Sequence, residues 1–314
     1  MSWRRFLFSV GLSIGLLLFL RQGWATYEAV QRHDFRLIQP LYLLAALVMS
    51  LLVYPLQMLA WAMIMRYLGF SPSLRQTLQG YLLSFLPRYI PGSLWGYWSR
   101  SQWLERSCGV DYATSILGSI LEASALILTA LSVAAVYLYT SSAGPRRFVL
   151  AGACVGLLWV ACLVTPVLAT RLSKERLHSH SKGHALYPWL AAIALHIALW
   201  VAYGGSILLI GNAVLSTPSV DLLQATFSSS LSWLLGFVVI IVPTGIGVRE
   251  LTLATLLSTH SDLLPWQANL VAIISRFEII LAELAWLVVG LGLYISRWSR
   301  DSDQHHLFVR GREE

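Results

Sequence analysis

The chain reads as an all-α polytopic membrane protein, with about six full transmembrane helices and two re-entrant, broken helix pairs in an inverted repeat. Three observations lead there. Residues are 57% hydrophobic and only 12% charged, with a mean hydropathy of +0.66, whereas soluble domains carry roughly 25% charged residues. Apolar runs close to the ~20 residues needed to cross a ~30 Å hydrocarbon layer fill most of the length. Two of those runs are interrupted by Pro and Gly, at places that correspond in the two halves.

The first apolar run, 6–20 and extendable to Trp24, has Arg4 and Arg5 before it and Arg21 after it. With no convincing small-residue cleavage site, it reads as a signal anchor. Runs 41–65, 112–139, 148–169, 186–214 and 266–295 supply five further crossings, and 74–98 and 222–257 are the broken segments. Residues 1–298 thus form a single integral membrane domain with pseudo-repeat halves at roughly 40–140 and 186–296, followed by a polar cytosolic tail, 299–314. No stretch is left for a soluble domain of about 50 residues or more. Cys108, Cys154 and Cys162 lack metal or redox spacing and read as small core residues. His178, His180 and His184 read as a solvated loop, so neither a metal nor a cofactor is expected.

The net charge of +7 tracks topology. With a cytosolic N-terminus, fourteen Lys and Arg fall in cytosolic loops, among them Arg66, Arg75, Arg100, Arg106 and Lys182. Five, Arg21, Arg32, Arg36, Arg146 and Arg147, fall outside. That asymmetry follows the positive-inside rule and removes the need for a nucleic-acid partner. Trp24, Trp189, Trp266 and Trp298 sit near expected helix ends, as interfacial aromatics do. The break around Pro87 then enters from the cytosol and the one around Pro243 from outside, as inverted repeats require. A constant offset tests this: Pro87 and Pro243, Ile90 and Ile246, Ser119 and Ser275, and Glu122 and Glu278 are each 156 residues apart.

The breaks read SFLPRYIPGSLWGYWSR (84–100) and VIIVPTGIGVRE (239–250). Pro removes a backbone donor and Gly accepts unusual dihedrals, so both should interrupt a helix at membrane depth, where only protein or a wet cavity can satisfy the freed groups. Pro91, Gly92 and Ser93 would start one half-helix, with Arg88 just before it; Gly247 would start the other, with Arg249 and Glu250 in its first turn. Two facing helix N-termini make a cradle for an anion, and Glu250 would partner Arg249 or another cation. Glu122 and Glu278 fall near mid-membrane, where charge is expensive and functional by default. Glu122 has no evident local cation and is the stronger candidate for a protonation site or headgroup contact. Arg276 and Glu283, seven apart, share a face and could pair with each other or meet substrate. His196 reads as a hydrogen-bonded packing residue, with a proton relay as the alternative.

Together, RYIPGSLWGYWSR (88–100) and VPTGIGVRE (242–250) resemble the paired signatures of the lysylphosphatidylglycerol synthase transmembrane-region family, the flippase portion of the multiple peptide resistance factor. The resemblance runs from about the second helix to the last. It implies a membrane-embedded lipid translocase and carries over Pro91, Gly92 and Trp95 from the first motif. From the second it carries over Pro243, Gly245, Gly247, Arg249 and Glu250. Aminoacyl transfer is not implied, because no soluble synthase portion follows Trp298, and a crossing or two of the long flippase form is missing. The resulting expectation is a flippase, not an enzyme, in the cell (plasma or inner) membrane with both termini cytosolic. It would move a phospholipid or lipid-linked precursor with an anionic phosphate headgroup between leaflets. No nucleotide-binding motif is visible, so energy would come from ions, a partner or the lipid gradient. An ion-coupled small-molecule transporter, or a membrane partner subunit of a glycosyltransferase or lipid-modifying enzyme, is the alternative. A homo-oligomer or such an enzyme are the further partners considered.

Overall fold

A computed structural model describes residues 3–33, 39–90, 95–141, 186–214, 220–239 and 242–310, with a few helical residues between 149 and 167. Nine helices are labelled here: α1 Trp3–Arg32, α2 Pro40–Tyr67, α3 Leu74–Leu82, α4 Trp95–Cys108, α5 Tyr112–Ser141, α6 Tyr187–Val214, α7 Leu222–Val238, α8 Val248–His260 and α9 Pro265–Arg310. Two 3-10 turns, Pro87–Tyr89 and Pro243–Gly245, lie between α3 and α4 and between α7 and α8. No strand occurs among the described residues. From α2 onward the labelled order is helix, helix, turn, helix, helix, and then the same again.

Three helices, α2, α5 and α6, are long and apolar enough to cross a membrane. Their bounds match the expected runs to within two residues at each end. The first helix runs further than expected, because Glu28 accepts from both Trp24 and Arg32 at helical spacing and supports the added turns. The last helix also continues past the expected crossing to Arg310, since neither Pro nor Gly occurs from Leu293 to that point. The expected polar tail is therefore helical for most of its length. The run 148–169 is described only in fragments, and His178, His180 and His184 lie outside the described residues.

Sequence-local signals set both broken segments. Ser73 and Gln76 form a reciprocal capping box that starts α3. Asp221 accepts from the Gln224 N–H at 2.8 Å and starts α7. Each helix then stops before the Pro that opens its 3-10 turn.

The most extensive helix pairing is α2 against α6. Small residues let the two backbones approach, and at the seam Ser50 and Ser206 share a hydrogen bond of 3.0 Å. Trp61, Trp189 and Trp200 are fully buried around this pair. Trp189 stands in the first turn of α6, near the helix end as expected, and its buried ring packs on Tyr67, at the end of α2. Cys154 is exposed, not a core residue, whereas Cys108 is partly buried and accepts from Gln76. The outer surface is apolar, with Leu17, Leu41, Val288 and Leu291 each at least 60% exposed. Such a surface suits hydrocarbon and would be a liability in water.

Candidate functional site

The second turn shows why the chain puts Pro, Gly, Arg and Glu together. Thr244 adopts φ 50°, Gly245 φ 69° and, beyond Ile246 at φ −54°, Gly247 φ 81°; such positive values cost little at Gly and about 1–2 kcal/mol at Thr. Gly247 also meets α1, where an added Cβ would lie 2.6 Å from the Gly15 carbonyl oxygen. From Gly247 the chain enters α8, and the Glu250 carboxylate accepts from the Gly247 N–H at 2.6 Å. Its other oxygen faces Arg276 Nε at 3.2 Å. At this helix N-terminus the chain's own carboxylate thus takes the Gly247 N–H, an otherwise orphaned donor. Arg276 also donates to Thr244 Oγ1 at 2.9 Å, locking the strained turn onto α9.

Glu250 being taken by Arg276, Arg249 is left over. Its guanidinium lies over Trp233 at 5.7 Å, and its Nε is buried without a hydrogen-bond partner. Arg249 makes no ion pair among the described residues. Its stem crosses Gly236, where a Cβ would come within 2.3 Å of Arg249 Cγ, so the glycine leaves room for the arginine.

Charges around the first turn are resolved differently. Arg88 Nη1 stands 3.6 Å from Glu283, which also accepts from the Tyr89 hydroxyl at 2.6 Å. Arg276 and Glu283 therefore do not pair with each other, contrary to one expectation; each has a partner from another element. Glu122 corrects a second expectation. It is fully buried, but Arg100 donates to one of its oxygens and Tyr81 to the other at 2.8 Å. Arg100, assigned to a cytosolic loop by the charge count, is 1% exposed. The rings of Trp61, Tyr81 and Tyr97 lie 4.7, 4.9 and 5.5 Å from its guanidinium. Cation–π contacts and the ion pair together offset its desolvation.

These groups enclose a cavity of about 140 Å³ lined from every labelled helix except α1 and from both turns, including Arg88, Arg100, Arg249, Arg276, Glu283 and Thr244. Its walls are otherwise aromatic and amphipathic, with Tyr54, Tyr81, Tyr89, Tyr97, Tyr203, Trp200 and Trp233. Four arginines face three carboxylates, Glu122 and Glu250 standing behind Arg100 and Arg276. One positive charge remains, and it belongs to Arg249. The space equals that of a few water molecules, enough for a compact anionic group.

Of the expected site residues, Arg88, Arg249, Arg276 and Glu283 line the cavity, with Glu122 and Glu250 one layer behind. Pro243, Gly245 and Gly247 shape the turn without lining the space. Trp95 is 39% exposed and stacks edge-on with Trp98, away from the cavity. Glu278 bonds instead to Ser50 and Ser206. Pro91, Gly92 and Ser93 lie outside the described residues. His196 is fully buried on α6, where its ring meets the Ala192 backbone one turn back at a geometry short of a full hydrogen bond, in keeping with the packing role expected.

Sequence reasoning missed Arg100 and the tyrosines. The available signal was five Tyr in otherwise apolar or broken segments, at 54, 81, 89, 97 and 203; in lipid a buried phenol needs a partner.

No curated protein compared with the chain matches it significantly. A family model described as "Lysylphosphatidylglycerol synthase TM region" matches residues 6–286, which include both turns and every residue that lines the cavity. The chain belongs to the lysylphosphatidylglycerol synthase transmembrane-region family.

Proposed function

We propose that the protein is a lipid translocase of the cell membrane. It passes the phosphate headgroup of a phospholipid or lipid-linked precursor through the cavity while the acyl chains stay in the bilayer. The observation that carries this reading is Arg249, a cation with no counter-charge in a cavity whose other cations are all paired. An uncompensated charge at membrane depth is costly and marks a ligand site. Paired arginines and phenolic hydroxyls around it supply further donors for phosphate oxygens.

The shared family supports a lipid-related role in the membrane. The 156-residue offset supports alternating access by two opposed halves. Both 3-10 turns begin with the Pro that this offset relates, and Ser50 and Ser206, also 156 apart, touch across the α2–α6 seam. Residues related by a pseudo-two-fold axis meet where they lie on that axis, and rocking about it would open the cavity to each side in turn. In this reading both termini face the cytosol and the chain transports without chemical transformation.

The modest volume of the cavity favours, as a second reading, a transporter of a small free anion. Liposomes containing the purified protein and headgroup-labelled anionic or zwitterionic lipids separate the two. Loss of inner-leaflet protection against an impermeant quencher in the parent, abolished by Arg249→Ala, is the expected result. Uptake of free phosphate without label exposure would establish the second reading in its place.

A further inference from the structure

Glu278 lies on α9 between two cavity residues, Arg276 and Ile279, yet it is not part of the cavity. It is 6% exposed and reaches the α2–α6 seam. There three oxygens form a triangle: Ser50 Oγ and Ser206 Oγ are 3.0 Å apart, Ser206 Oγ and Glu278 Oε2 3.1 Å, and Ser50 Oγ and Glu278 Oε2 3.5 Å. Neither serine bonds to its own helix backbone, unlike Thr129, Ser132 and Thr226, whose hydroxyls donate to the carbonyl four residues back. Both Ser50 and Ser206 are fully buried, so this triangle is where their hydrogens go.

Two of the three edges are of hydrogen-bond length, and the two hydroxyls supply one hydrogen for each; the third, at 3.5 Å, is a loose contact that a proton on Oε2 would close into a ring. A carboxylate buried in an apolar seam with no cation opposite it is costly, and taking up a proton removes that cost.

No charged group offers a competing explanation. On α9 itself, Arg276 is turned to Glu250 and Thr244, and Glu283 to Arg88 and Tyr89. On α2, Tyr54 donates to the Ile279 carbonyl. From α6, Tyr203 faces the cavity and His196 is buried without a normal hydrogen bond. The α8 charges are Glu250, held by Arg276, and Arg249 at the cavity. On α3, Tyr81 is bound to Glu122. On α1, Glu28 is paired with the exposed Arg32, while Gln22 reaches Asn269 of α9. No cation lies within ion-pair distance of Glu278 among the described residues.

We propose that Glu278, Ser50 and Ser206 form a proton-binding site at the meeting of α2, α6 and α9, loaded in the state described here. Releasing the proton opens the ring and leaves a bare carboxylate in the seam between α2 and α6. Because α9 also carries Arg276, Ile279 and Glu283 into the cavity, a change of packing at Glu278 reaches the substrate side through one rigid helix. The site stands on its own geometry; that its proton drives headgroup movement rests on the lipid reading above.

Infrared spectroscopy of the full chain in lipid tests the site directly. The parent should show a protonated-carboxyl band at neutral pH that shifts in deuterated water and disappears on alkaline titration. Glu278→Gln should lose that band and Glu122→Gln should keep it. Ser50→Ala and Ser206→Ala, which retain the carboxyl, should shift its frequency by removing a hydrogen bond, and they serve if Glu278→Gln does not fold. A neutral-pH parent without such a band, or a band indifferent to Glu278 and to both serines, overturns the proposal. In liposomes, proton uptake should accompany label exposure in the parent and vanish in Glu278→Gln. A chain that shows the band but moves no lipid sinks the lipid reading and leaves the proton site standing. A chain that moves lipid without the band does the opposite.

Discussion

Around the first turn every cation has a carboxylate; around the second, one does not. Arg88 faces Glu283 and Arg100 faces Glu122, whereas Arg276 takes Glu250 and leaves Arg249 with only an aromatic neighbour. The two regions share a Pro-initiated 3-10 turn flanked by helices, but the second carries positive φ at Thr244, Gly245 and Gly247 and differs from the first in its charge balance as well. Paired charges in an apolar interior hold elements in register at little net gain. An unpaired one holds nothing, and its retention points to something outside the chain. In the function proposed above, the first region is the wall and the second the contact.

Breaking the best-buried pair should have the largest effect. Arg100→Ala leaves Glu122 charged or forces it to take a proton in a fully buried site, and should cost about 3–5 kcal/mol. Thermal unfolding in detergent reads this as a large drop in midpoint. The double variant Arg100→Leu with Glu122→Leu should recover most of it, since an apolar replacement of similar volume is often neutral. A single variant as stable as the parent would remove Arg100 from the wall.

This pair also shows where sequence reading stops. The spans of α2, α5 and α6, and the breaks at Pro87 and Pro243, were legible, because hydrophobic runs and helix breakers are local properties. Arg100 was not, because its neighbourhood, Ser99 to Ser107, is polar and contains Glu105 and Arg106, which resembles a loop. Only the packing of α4 on α5 shows that Arg100, with Gly96, Ser101 and Leu104, faces inward. Partner identity was illegible for the same reason. Glu283 meets Arg88 from the other half of the chain, and Glu250 meets Arg276 rather than its neighbour Arg249. Similarly, the offset of 156 drew attention equally to Glu122 and Glu278. Which of them has a cation depends on whether Arg100 or a pair of serines stands opposite.

Gly247→Ala should have the next largest effect. The residue sits at φ 81°, and its new Cβ would collide with the Gly15 carbonyl of α1. A cost of about 1–3 kcal/mol is expected from the backbone alone, with further loss if α1 is displaced. Limited proteolysis should then cut near the α7–α8 turn sooner than in the parent. Unchanged protection would mean that α1 does not clamp the turn.

Arg88→Gln should cost less, about 1 kcal/mol. The Arg88 side chain is 27% exposed and its contact with Glu283 is 3.6 Å long, while Tyr89 still donates to that carboxylate. Partly exposed pairs contribute little. A loss as large as that of Arg100→Ala would show that the cavity is drier than its lining suggests.

Arg249→Met should have the smallest effect on the fold, and its sign separates a structural from a ligand-facing role. In the empty protein the guanidinium is partly desolvated, lacks a carboxylate, and is compensated only by the face of Trp233 at 5.7 Å. Methionine keeps much of the stem that lies across Gly236 while removing the charge, so the unfolding midpoint should stay level or rise. The parent, but not the variant, should gain stability when a phosphate-headgroup lipid is added. A ligand that binds only the folded state stabilises it by RT ln(1 + [L]/Kd), about 2.7 kcal/mol at a hundredfold excess over Kd. Destabilisation of the empty variant comparable to that of Arg100→Ala would make Arg249 part of the wall and erase the distinction between the two regions. A level midpoint with loss of lipid-induced stabilisation would leave the charge with a single role, that of meeting an anion the chain does not itself supply.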